Sequence, residues 1–301
     1  MTHRHRPRTV QVLAPAKLNL GLEILGRRDD GYHEIVTILQ AIDLLDDLRL
    51  RAGEGIRPLR PLPGVRDDEN LALRALDLLR RRSGTERGAW LDLRKAIPTA
   101  AGLGGASSDA AATLLAARDL WELAVSDQEL AALAAELGSD VPFFLGGGTA
   151  LASGRGEVLE SLPSPGVWAV VVTPRLTIER KTATLYGAIR ASDYSDGSRV
   201  LAQAERLRGG LPPDPTLLAN AFEQPLLGLR PDLAELAATM RACGAPHVAL
   251  SGAGPSHYAL FAGPDEAVAV ARRLEAALGD SARVVATRDR SAPVGTRISN
   301  S

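Results

Sequence analysis

Several features that would assign a protein to a particular compartment or partner are missing from this sequence. It contains one cysteine, Cys243, which has no partner for an internal disulfide and no companions at metal-ligand spacing, so a reducing cytoplasm is expected. The formal net charge of -1 gives no basic excess for binding nucleic acid. No apolar run approaches the roughly 20 residues of a membrane-spanning helix, and no apolar core of a signal peptide follows Met1. We therefore expect a cytoplasmic protein whose partners include neither nucleic acid nor a membrane.

Lysine and asparagine are also scarce. Only three of the 35 basic residues are lysine, namely Lys17, Lys95 and Lys181. A chain that uses arginine almost everywhere retains lysine where a compact ammonium is needed and a planar guanidinium does not fit. Chance explains any single position, but Lys17 lies two residues from Asn19, and Lys95 lies just before a glycine-rich stretch. The retained lysines are therefore candidates for a functional site.

The length of 301 residues favours two modest domains over one very large core. The order of apolar strands and amphipathic helices predicts an N-terminal domain over residues 9–163 and a C-terminal domain over residues 164–287, in an α+β fold. In the second domain, a helix, two strands, a helix and a strand predict a small split βαβ sandwich. Residues 1–8 are expected to form a disordered basic tail and residues 288–301 a flexible tail.

The stretch Ile97–Thr113 carries three glycines, then two serines, then an alanine-rich run. This pattern predicts a glycine turn that leads into a helix. The start of a helix exposes unpaired N–H groups and the positive end of the helix dipole, which together suit a phosphate, and serine hydroxyls there can cap the helix or reach phosphate oxygens. The alternative is a turn that only joins a strand to a buried helix. The spacing matches neither a P-loop nor a Rossmann fingerprint, which disfavours those two folds.

Three other places carry polar groups that suit a binding site. Lys17 and Asn19 share one face of a predicted strand, which indicates a polar cavity wall or, alternatively, the solvated face of a sheet. Tyr32 and His33 follow a charged turn and could stack on and hydrogen-bond a planar base, although a lone histidine is more often structural. Asp140 lies between a helix end and a proline, where an aspartate is usually a turn former.

Two segments resemble motifs of the galactokinase, homoserine, mevalonate and phosphomevalonate (GHMP) kinase superfamily. Pro98–Ala111 is similar to its second motif and Leu250–Phe261 to its third. Within the superfamily, four further motifs resemble those of the 4-diphosphocytidyl-2-C-methyl-D-erythritol kinases: P-A-K-L-N-L at 15–20, G-R-R-D-D-G-Y-H-E at 26–34, D-E-N-L at 68–71 and G-S-D-V-P at 138–142.

The resemblance implies the two-domain GHMP kinase fold, with an N-terminal nucleotide-binding domain like domain 2 of ribosomal protein S5 and a C-terminal ferredoxin-like domain. It also implies a cytoplasmic enzyme of the non-mevalonate isoprenoid pathway, with ATP and Mg²⁺ as cofactors and a small cytidyl molecule as substrate. The implied reaction moves the γ-phosphoryl group of ATP to the 2-hydroxyl of that substrate. The resemblance implies neither particular metal ligands nor an oligomeric state.

By their positions in the motifs, Lys17 and Asp140 correspond to the catalytic pair of these kinases, and the resemblance implies the following further roles. The substrate-binding positions are Asn19, Tyr32, His33 and Tyr186, of which Tyr32 and His33 face the cytosine and Tyr186 stacks on its other side. The ATP-binding positions are Asn70 and Lys95 near adenine, and Pro98, Thr99, Ala100, Ala101, Gly102, Leu103, Gly104, Gly105, Ala106, Ser107 and Ser108 around the phosphates.

The chain departs from the family pattern at three alanines. Ala100 and Ala106 stand where the family often has glycine, and Ala253 replaces a common serine or threonine. The form S-G-A-G-P that contains Ala253 is also found in homoserine kinases, so homoserine kinase is the alternative enzyme. A catalytically silent ATP-binding protein of the same fold is a further alternative, but it would have no use for Lys17 together with Asp140.

Overall fold

The computed structural model describes residues 8–176, 178, 181–291 and 294–300. Residues 1–7 of the predicted basic tail lie outside these ranges, and Arg8 begins the first strand instead of ending a tail. Across the described ranges, no helix is both long enough and apolar enough to cross a membrane.

Both halves of the chain contain strands and helices. The strands are β1 (Arg8–Arg27), β2 (His33–Gly53), β3 (Ile56–Pro58), β4 (Gly88–Arg94), β5 (Thr149–Ser153), β6 (Val158–Leu162), β7 (Trp168–Pro174), β8 (Ala249–Leu250), β9 (His257–Phe261), β10 (Ala282–Arg288) and β11 (Thr296–Asn300). The α-helices are α1 (Leu71–Ser83), α2 (Gly105–Trp121), α3 (Asp127–Leu137), α4 (Val141–Gly146), α5 (Lys181–Ala188), α6 (Ser198–Arg208), α7 (Glu223–Leu229), α8 (Asp232–Ala242) and α9 (Pro264–Leu278).

The N-terminal half is built on a sheet in which the strand order is β11-β1-β2-β4-β3, with β5 pairing β2 and β6. The long β1 continues through Pro15, and the long β2 continues through Asp43, Asp46 and Asp47, although proline and aspartate usually interrupt a strand. Their antiparallel register shifts between Pro15 and Ala16, between Asn19 and Leu22, and again before Gly26. Such irregularities let a strand bend and accept a proline without ending, so the breaks in the sequence pattern mark bends.

Helix α2 forms the centre of this half. Its alanine-rich sequence is buried on almost every side, from Ser108 to Trp121. Alanine combines high helix propensity with little volume, so α1, α3 and the sheet all approach the α2 backbone closely. This packing fixes the direction in which the start of α2 points.

The C-terminal half is a four-stranded sheet in which the strand order is β10-β7-β9-β8 and every pair is antiparallel. Strands β7, β8, β9 and β10 follow each other along the chain with helices after β7 and after β9. This is the split βαβ arrangement of a ferredoxin-like sandwich, and the α+β prediction is confirmed.

The end of the chain differs from the flexible tail predicted for residues 288–301. Arg288 is the last residue of β10, and Thr296–Asn300 forms β11, which pairs antiparallel with β1 so that Ile298 lies opposite Val10. The tail prediction is therefore wrong for residues 296–300, whereas Ala292, Pro293 and Ser301 lie outside the described residues. An edge strand offers unpaired N–H and C=O groups to any extended segment that reaches it, and a short polar segment carries no local signal of that pairing.

Candidate active site

A pocket of about 1180 Å³ lies where the two halves meet, and most of the predicted site residues face it. The walls come from β1, the glycine stretch before α2, the start of α4, helix α5 and the segment between β8 and β9. The predicted site residues in the lining are Lys17, Asn19, Tyr32, His33, Ala100, Gly102, Gly104, Ser107, Asp140 and Tyr186.

Lys17 and Asn19 lie on the pocket face of β1, as the period of two in the strand predicts. The Lys17 Nζ donates to Asn19 Oδ1 at 2.6 Å, and Asn19 Nδ2 donates to Thr37 Oγ1 at 2.8 Å. Burial lowers the pKa of Lys17 below its usual 10.5, and the carboxylate of Asp140 opposes that shift. The interpretation of this face as a cavity wall is the one that the structure supports.

Asp140 stands directly before α4, at its N-cap position. Its backbone is helical, with φ -82° and ψ -13°, and its side chain makes no capping hydrogen bond to α4. Pro142 lies in the first turn of α4, where the missing N–H costs nothing, so this proline begins a helix. The Asp140 Oδ2 lies 3.7 Å from Lys17 Nζ, and the aspartate side chain is 38% exposed. The carboxylate is thus available to a ligand in the pocket, beside a buried ammonium.

At two positions the glycine stretch passes too close to neighbouring atoms for a side chain, against backbone at Gly102 and against side chains at Gly104. Gly102 has φ +82°, and a Cβ there would lie 2.2 Å from the Ser251 carbonyl oxygen. Gly104, with φ +73°, caps the start of α2, and its Cβ would lie 2.7 Å from Phe144 Cζ and 2.9 Å from Lys17 Cγ. Only glycine combines a positive φ with such close approach, so the structure explains both residues.

The start of α2 faces the same space. The Ser108 N–H donates to the Gly104 carbonyl at 2.9 Å, so the N–H groups of residues 105–107 precede the first bond of the helical ladder. Ser107 lines the pocket, whereas Ser108 is fully buried and its Oγ has no hydrogen-bond partner among the described residues. The Gly-Gly-Ala-Ser sequence therefore presents amide donors and a hydroxyl at the positive end of a buried 17-residue helix.

The rest of the predicted phosphate segment supports the loop from behind. Ala101, Leu103 and Ser108 are buried, Pro98 and Gly105 are half-buried, and Thr99 and Ala106 are exposed. The Leu103 carbonyl accepts from the Lys17 N–H at 2.9 Å, which ties the loop to β1. Ala100 has φ +54°, in the left-handed region. A glycine would suit this backbone without strain, which accounts for the family's frequent glycine at that position.

The structure does not bring Asn70 and Lys95 into the pocket lining. Asn70 caps α1, and its Oδ1 accepts from the Ala72 N–H at 3.0 Å. Lys95 donates to Asp46, and its Nζ lies 2.5 Å from Asp109 Oδ2.

The cluster of Lys95, Asp46 and Asp109 lies beneath the glycine loop. Asp46 Oδ1 also accepts from the N–H groups of Ala96 and Ile97, at 2.5 and 2.8 Å, so this cluster joins β2, the entry to the loop and α2. Burial raises the pKa of the Asp109 carboxyl to about 7, Lys95 opposes the shift, and the charge of Asp46 adds to it. Burial lowers the pKa of Lys95, but the two carboxylates outweigh it and leave that pKa raised.

Aromatic rings form the opposite end of the pocket. The His33 ring stacks on the Tyr186 ring with centroids 5.0 Å apart and an interplanar angle of 22°. Tyr194 meets the edge of His33 at 6.3 Å, and Phe222 meets Tyr186 at 4.8 Å. Burial, with a contribution from Arg27, lowers the pKa of His33, so its ring is neutral at physiological pH.

The lining also contains residues to which the sequence gave no site role, among them Arg155, Tyr194 and Phe222. The Arg155 guanidinium lies 4.9 Å from the centre of the Tyr32 ring. The chain has only four tyrosines; three line the pocket, and the fourth, Tyr258, donates from its hydroxyl to the Asn19 carbonyl at 2.6 Å. Applying the scarcity argument to tyrosine as well as to lysine would have found Tyr194.

Comparisons with known proteins agree with this architecture. The family described as GHMP kinases N terminal domain matches residues 70–148, and GHMP kinases C terminal matches residues 214–280. The chain is 40% identical over 255 residues to the 4-diphosphocytidyl-2-C-methyl-D-erythritol kinase of Shouchella clausii, covering 83% of this chain and 84% of that protein. It is 41% identical over 271 residues to the Pelotomaculum thermopropionicum protein of the same name, covering 88% and 93%.

Solved structures of related proteins have the same fold. A crystal structure of 4-(cytidine 5'-diphospho)-2C-methyl-D-erythritol kinase has a TM-score of 0.79 and 40% identity to this chain, with 93% of this chain and 98% of that chain covered. Homoserine kinase from Cytophaga hutchinsonii has a TM-score of 0.71 at 18% identity, with 99% of both chains covered, and so shares the fold.

The fold and the pocket thus define a GHMP kinase. Within that class, the identity and coverage assign the chain to the family of 4-diphosphocytidyl-2-C-methyl-D-erythritol kinases.

A first prediction concerns the cluster of Lys95, Asp46 and Asp109. Lys95→Met should lower the free energy of unfolding by about 3 kcal/mol at pH 8, because it leaves two buried carboxylates without their cation. The loss should be smaller at pH 5. Without Lys95 the pKa of Asp109 in the folded state rises further above its pKa in the unfolded state. Between these two pKa values the folded state binds more protons than the unfolded state, so the free energy of unfolding falls as pH rises.

Denaturant unfolding at pH 5 and pH 8 measures this effect. The matched control is the double variant Lys95→Met with Asp109→Asn, which removes one of the two stranded charges and should recover part of the loss. A Lys95→Met variant as stable as the wild type at both pH values would show that the ion pairs contribute nothing net.

Proposed function

We propose that the chain transfers the γ-phosphoryl group of ATP to the 2-hydroxyl of 4-diphosphocytidyl-2-C-methyl-D-erythritol. The observation that carries the proposal is that Lys17 and Asp140, with Nζ and Oδ2 3.7 Å apart, line the same pocket as the glycine loop and the pair of His33 and Tyr186. An anion cradle on one side and stacking rings on the other suit two nucleotides with the reacting groups between them. Family membership makes the chain a kinase that uses ATP and a small-molecule substrate.

The ATP phosphates are proposed to bind along the glycine loop and the start of α2. Amide N–H groups at residues 105–107 and the Ser107 hydroxyl are the donors, and the absence of side chains at Gly102 and Gly104 leaves the backbone accessible. The placement of adenine near Asn70 and Lys95 stays a prediction, since the described polar contacts of these two residues are with α1, Asp46 and Asp109.

Mg²⁺ is proposed to accompany ATP. In the part of the chain that the structure describes, no group of three or more His, Cys, Asp or Glu residues could hold a metal ion. Mg²⁺ usually keeps several waters and is bound through substrate phosphates and one or two protein oxygens, so a site made largely by ATP fits this donor set. The bound ion would neutralise charge on the transferring phosphoryl group, and Asp140 and Ser107, which line the pocket, would supply the protein oxygens.

The cytosine is proposed to stack on His33 and Tyr186. A neutral imidazole can both stack and hydrogen-bond a base, and the lowered pKa of His33 favours that form. The two rings now contact each other at 5.0 Å, so a base held between them requires that they separate. Tyr194 and Phe222 would support the rings from the side.

For the transfer, the 2-hydroxyl loses its proton to the Asp140 carboxylate as its oxygen bonds the γ-phosphorus and the bond to the β-phosphate oxygen of ADP breaks. The acceptor is a tertiary alcohol and is weakly acidic, so positioning and charge stabilisation contribute beside proton transfer. Lys17, whose Nζ donates to Asn19, holds its ammonium 3.7 Å from the Asp140 carboxylate and offsets charge on the phosphoryl group.

The alternatives are weaker. Homoserine kinase shares the fold but only 18% identity in the Cytophaga structure, and a homoserine site has no need of stacking rings. A silent ATP-binding protein would have no use for the pair of Lys17 and Asp140.

We also propose a cytoplasmic location, on the argument from composition, and domain bounds of 9–163 and 164–287, on the argument from the order of the elements.

The direct test is an ADP-release assay on the purified chain. ADP should appear only when ATP, Mg²⁺ and the cytidyl substrate are all present, and removal of Mg²⁺ with a chelator should stop it. Turnover of homoserine with a comparable kcat/KM would contradict the proposed substrate.

The roles of Asp140 and Lys17 predict a loss of rate without a loss of binding. Asp140→Asn keeps the size of the side chain but removes its charge, so kcat should fall at least a hundredfold, the range usual for a lost general base. Lys17→Met should lower kcat similarly, and the double variant should be little worse than the more damaged single variant, because the two residues act as a unit. Kinetics with ligand affinity measured separately test this, and near-normal kcat in Asp140→Asn would reduce Asp140 to a turn former.

The stacking proposal predicts a split between the two substrates. His33→Ala and Tyr186→Ala should each lower kcat/KM for the cytidyl substrate about tenfold or more, since base stacking on an aromatic contributes about 1–3 kcal/mol. The KM for ATP should change less. Phe222→Leu, which alters the support of Tyr186 without removing a stacking ring, is the milder control. Should the effect fall on ATP alone, the two nucleotide sites are assigned the wrong way round.

A further inference from the structure

Of the three lysines, Lys181 is the one that has so far been given no role. It is the first residue of α5, it lines the pocket, and only 8% of its surface is exposed. Its ammonium donates to the Ala100 carbonyl at 2.6 Å and to the carbonyl of Gly254. It therefore bridges the glycine loop of the N-terminal half and the segment between β8 and β9 of the C-terminal half.

The Lys181 ammonium is buried without a counterion in the part of the chain that the structure describes. Neutral carbonyls accept its two hydrogen bonds, and no described carboxylate lies within 4.0 Å of it. Burial and the charge of Lys17 lower the pKa of Lys181 to about 8. A buried cation that faces another cation is unfavourable unless an anion joins them, and lysine carries a third donor that the two carbonyls leave for such a partner.

Two neighbours define where that anion would lie. Lys17 and Lys181 both contact the short segment Gly252–Gly254, because a Cβ at Gly252 would be 3.1 Å from Lys17 Nζ and the Gly254 carbonyl accepts from Lys181. Tyr186 lies five residues further along α5, about 7.5 Å along the helix axis. A nucleotide whose base stacks on Tyr186 and whose phosphates run back along α5 would bring those phosphates to Lys181, and Lys181 also contacts the glycine loop at the Ala100 carbonyl.

We propose that the Lys181 ammonium binds a phosphate oxygen of the reacting nucleotides and acts with Lys17 as a second cation of the phosphoryl-transfer site. The inference rests on the proposed function, since that function supplies the phosphates. Two sources carry the same chemistry: the diphosphate of the cytidyl substrate and the γ-phosphate of ATP. A purely structural bridge between two carbonyls would not need a charge, so the two roles make different predictions.

The experiment measures proton uptake and affinity together. Calorimetric titrations of the full chain at pH 8.5, in two buffers of different ionisation enthalpy, use CDP in one arm and AMP-PNP with Mg²⁺ in the other. An anion next to Lys181 raises its pKa, so the wild type should take up part of a proton with the ligand that Lys181 contacts. Lys17, Asp140, His33 and Tyr186 are further ionisable residues in the lining of this pocket, and variants at Lys181 separate its share of the proton uptake from theirs.

Two variants separate charge from bridging. Lys181→Met removes the charge and both donors, whereas Lys181→Gln removes the charge but keeps an amide that can donate to the two carbonyls. Both should lose the proton uptake and bind the contacted ligand about tenfold or more weakly, as expected for a hydrogen bond to a charged group. Ser251→Ala is the matched control, because it removes a 3.0 Å bond to the Gly102 carbonyl at the same junction without touching a charge, and it should retain the uptake.

The arm in which uptake and affinity are lost identifies the phosphate that Lys181 binds. The inference is overturned if the wild type takes up no proton with either ligand, if Lys181→Gln binds both ligands as the wild type does, or if both variants retain the uptake. Turnover of the wild type is assayed beside these titrations. An active wild type with unaffected Lys181 variants contradicts this inference alone, whereas a wild type inactive on the cytidyl substrate contradicts the proposed function.

Discussion

The close contact between the glycine loop and the segment before β9 is the constraint on which the site depends. A Cβ at Gly102 would lie 2.2 Å from the Ser251 carbonyl, and the Ser256 N–H donates to the Ala101 carbonyl at 3.2 Å. Backbone from two halves of the chain is thus packed together without intervening side chains. Because this junction is fixed, Lys17 on β1 and the lysine that opens α5 face the same pocket.

The lysines on the two sides of the glycine loop differ in whether carboxylates neutralise them. On the pocket side, Lys17 and Lys181 are buried, and burial lowers the pKa of each. Behind the loop, Lys95 is held by two buried carboxylates. Lys95, whose charge is neutralised by carboxylates within the protein, stabilises the loop. Lys17 and Lys181, whose charges are not fully neutralised, face the space in which phosphates are proposed to bind. The same residue type thus serves support or binding, depending on which acids the fold brings to it.

Local sequence signals predicted local structure well. The pattern of Ser126 followed three residues later by Glu129 is typical of a capping box, and the structure forms it, with Ser126 accepting from the Glu129 N–H at 3.2 Å. The period of two on β1 correctly predicted that Lys17 and Asn19 share one face. These features depend on residues within a turn or two of each other. The failures were of another kind. Strands β1 and β2 continue through apparent breaks, and β11 forms where a loose tail was expected, because distant strands supply the pairing that holds them.

The sequence by itself determined the family, the glycine loop, the start of α2 and the scarce residue types that carry the chemistry, since these depend on local backbone preference and on motif composition. Only the tertiary structure decided the task of each lysine. The residues next to Lys95 in the sequence do not predict its contact with Asp46, which lies on β2. The residues next to Lys181 likewise do not predict its hydrogen bonds to the Ala100 and Gly254 carbonyls. Whether a charged side chain supports a loop or faces a ligand depends on which groups lie within hydrogen-bonding distance, and contacts between residues far apart in the chain are set by the packing of whole elements.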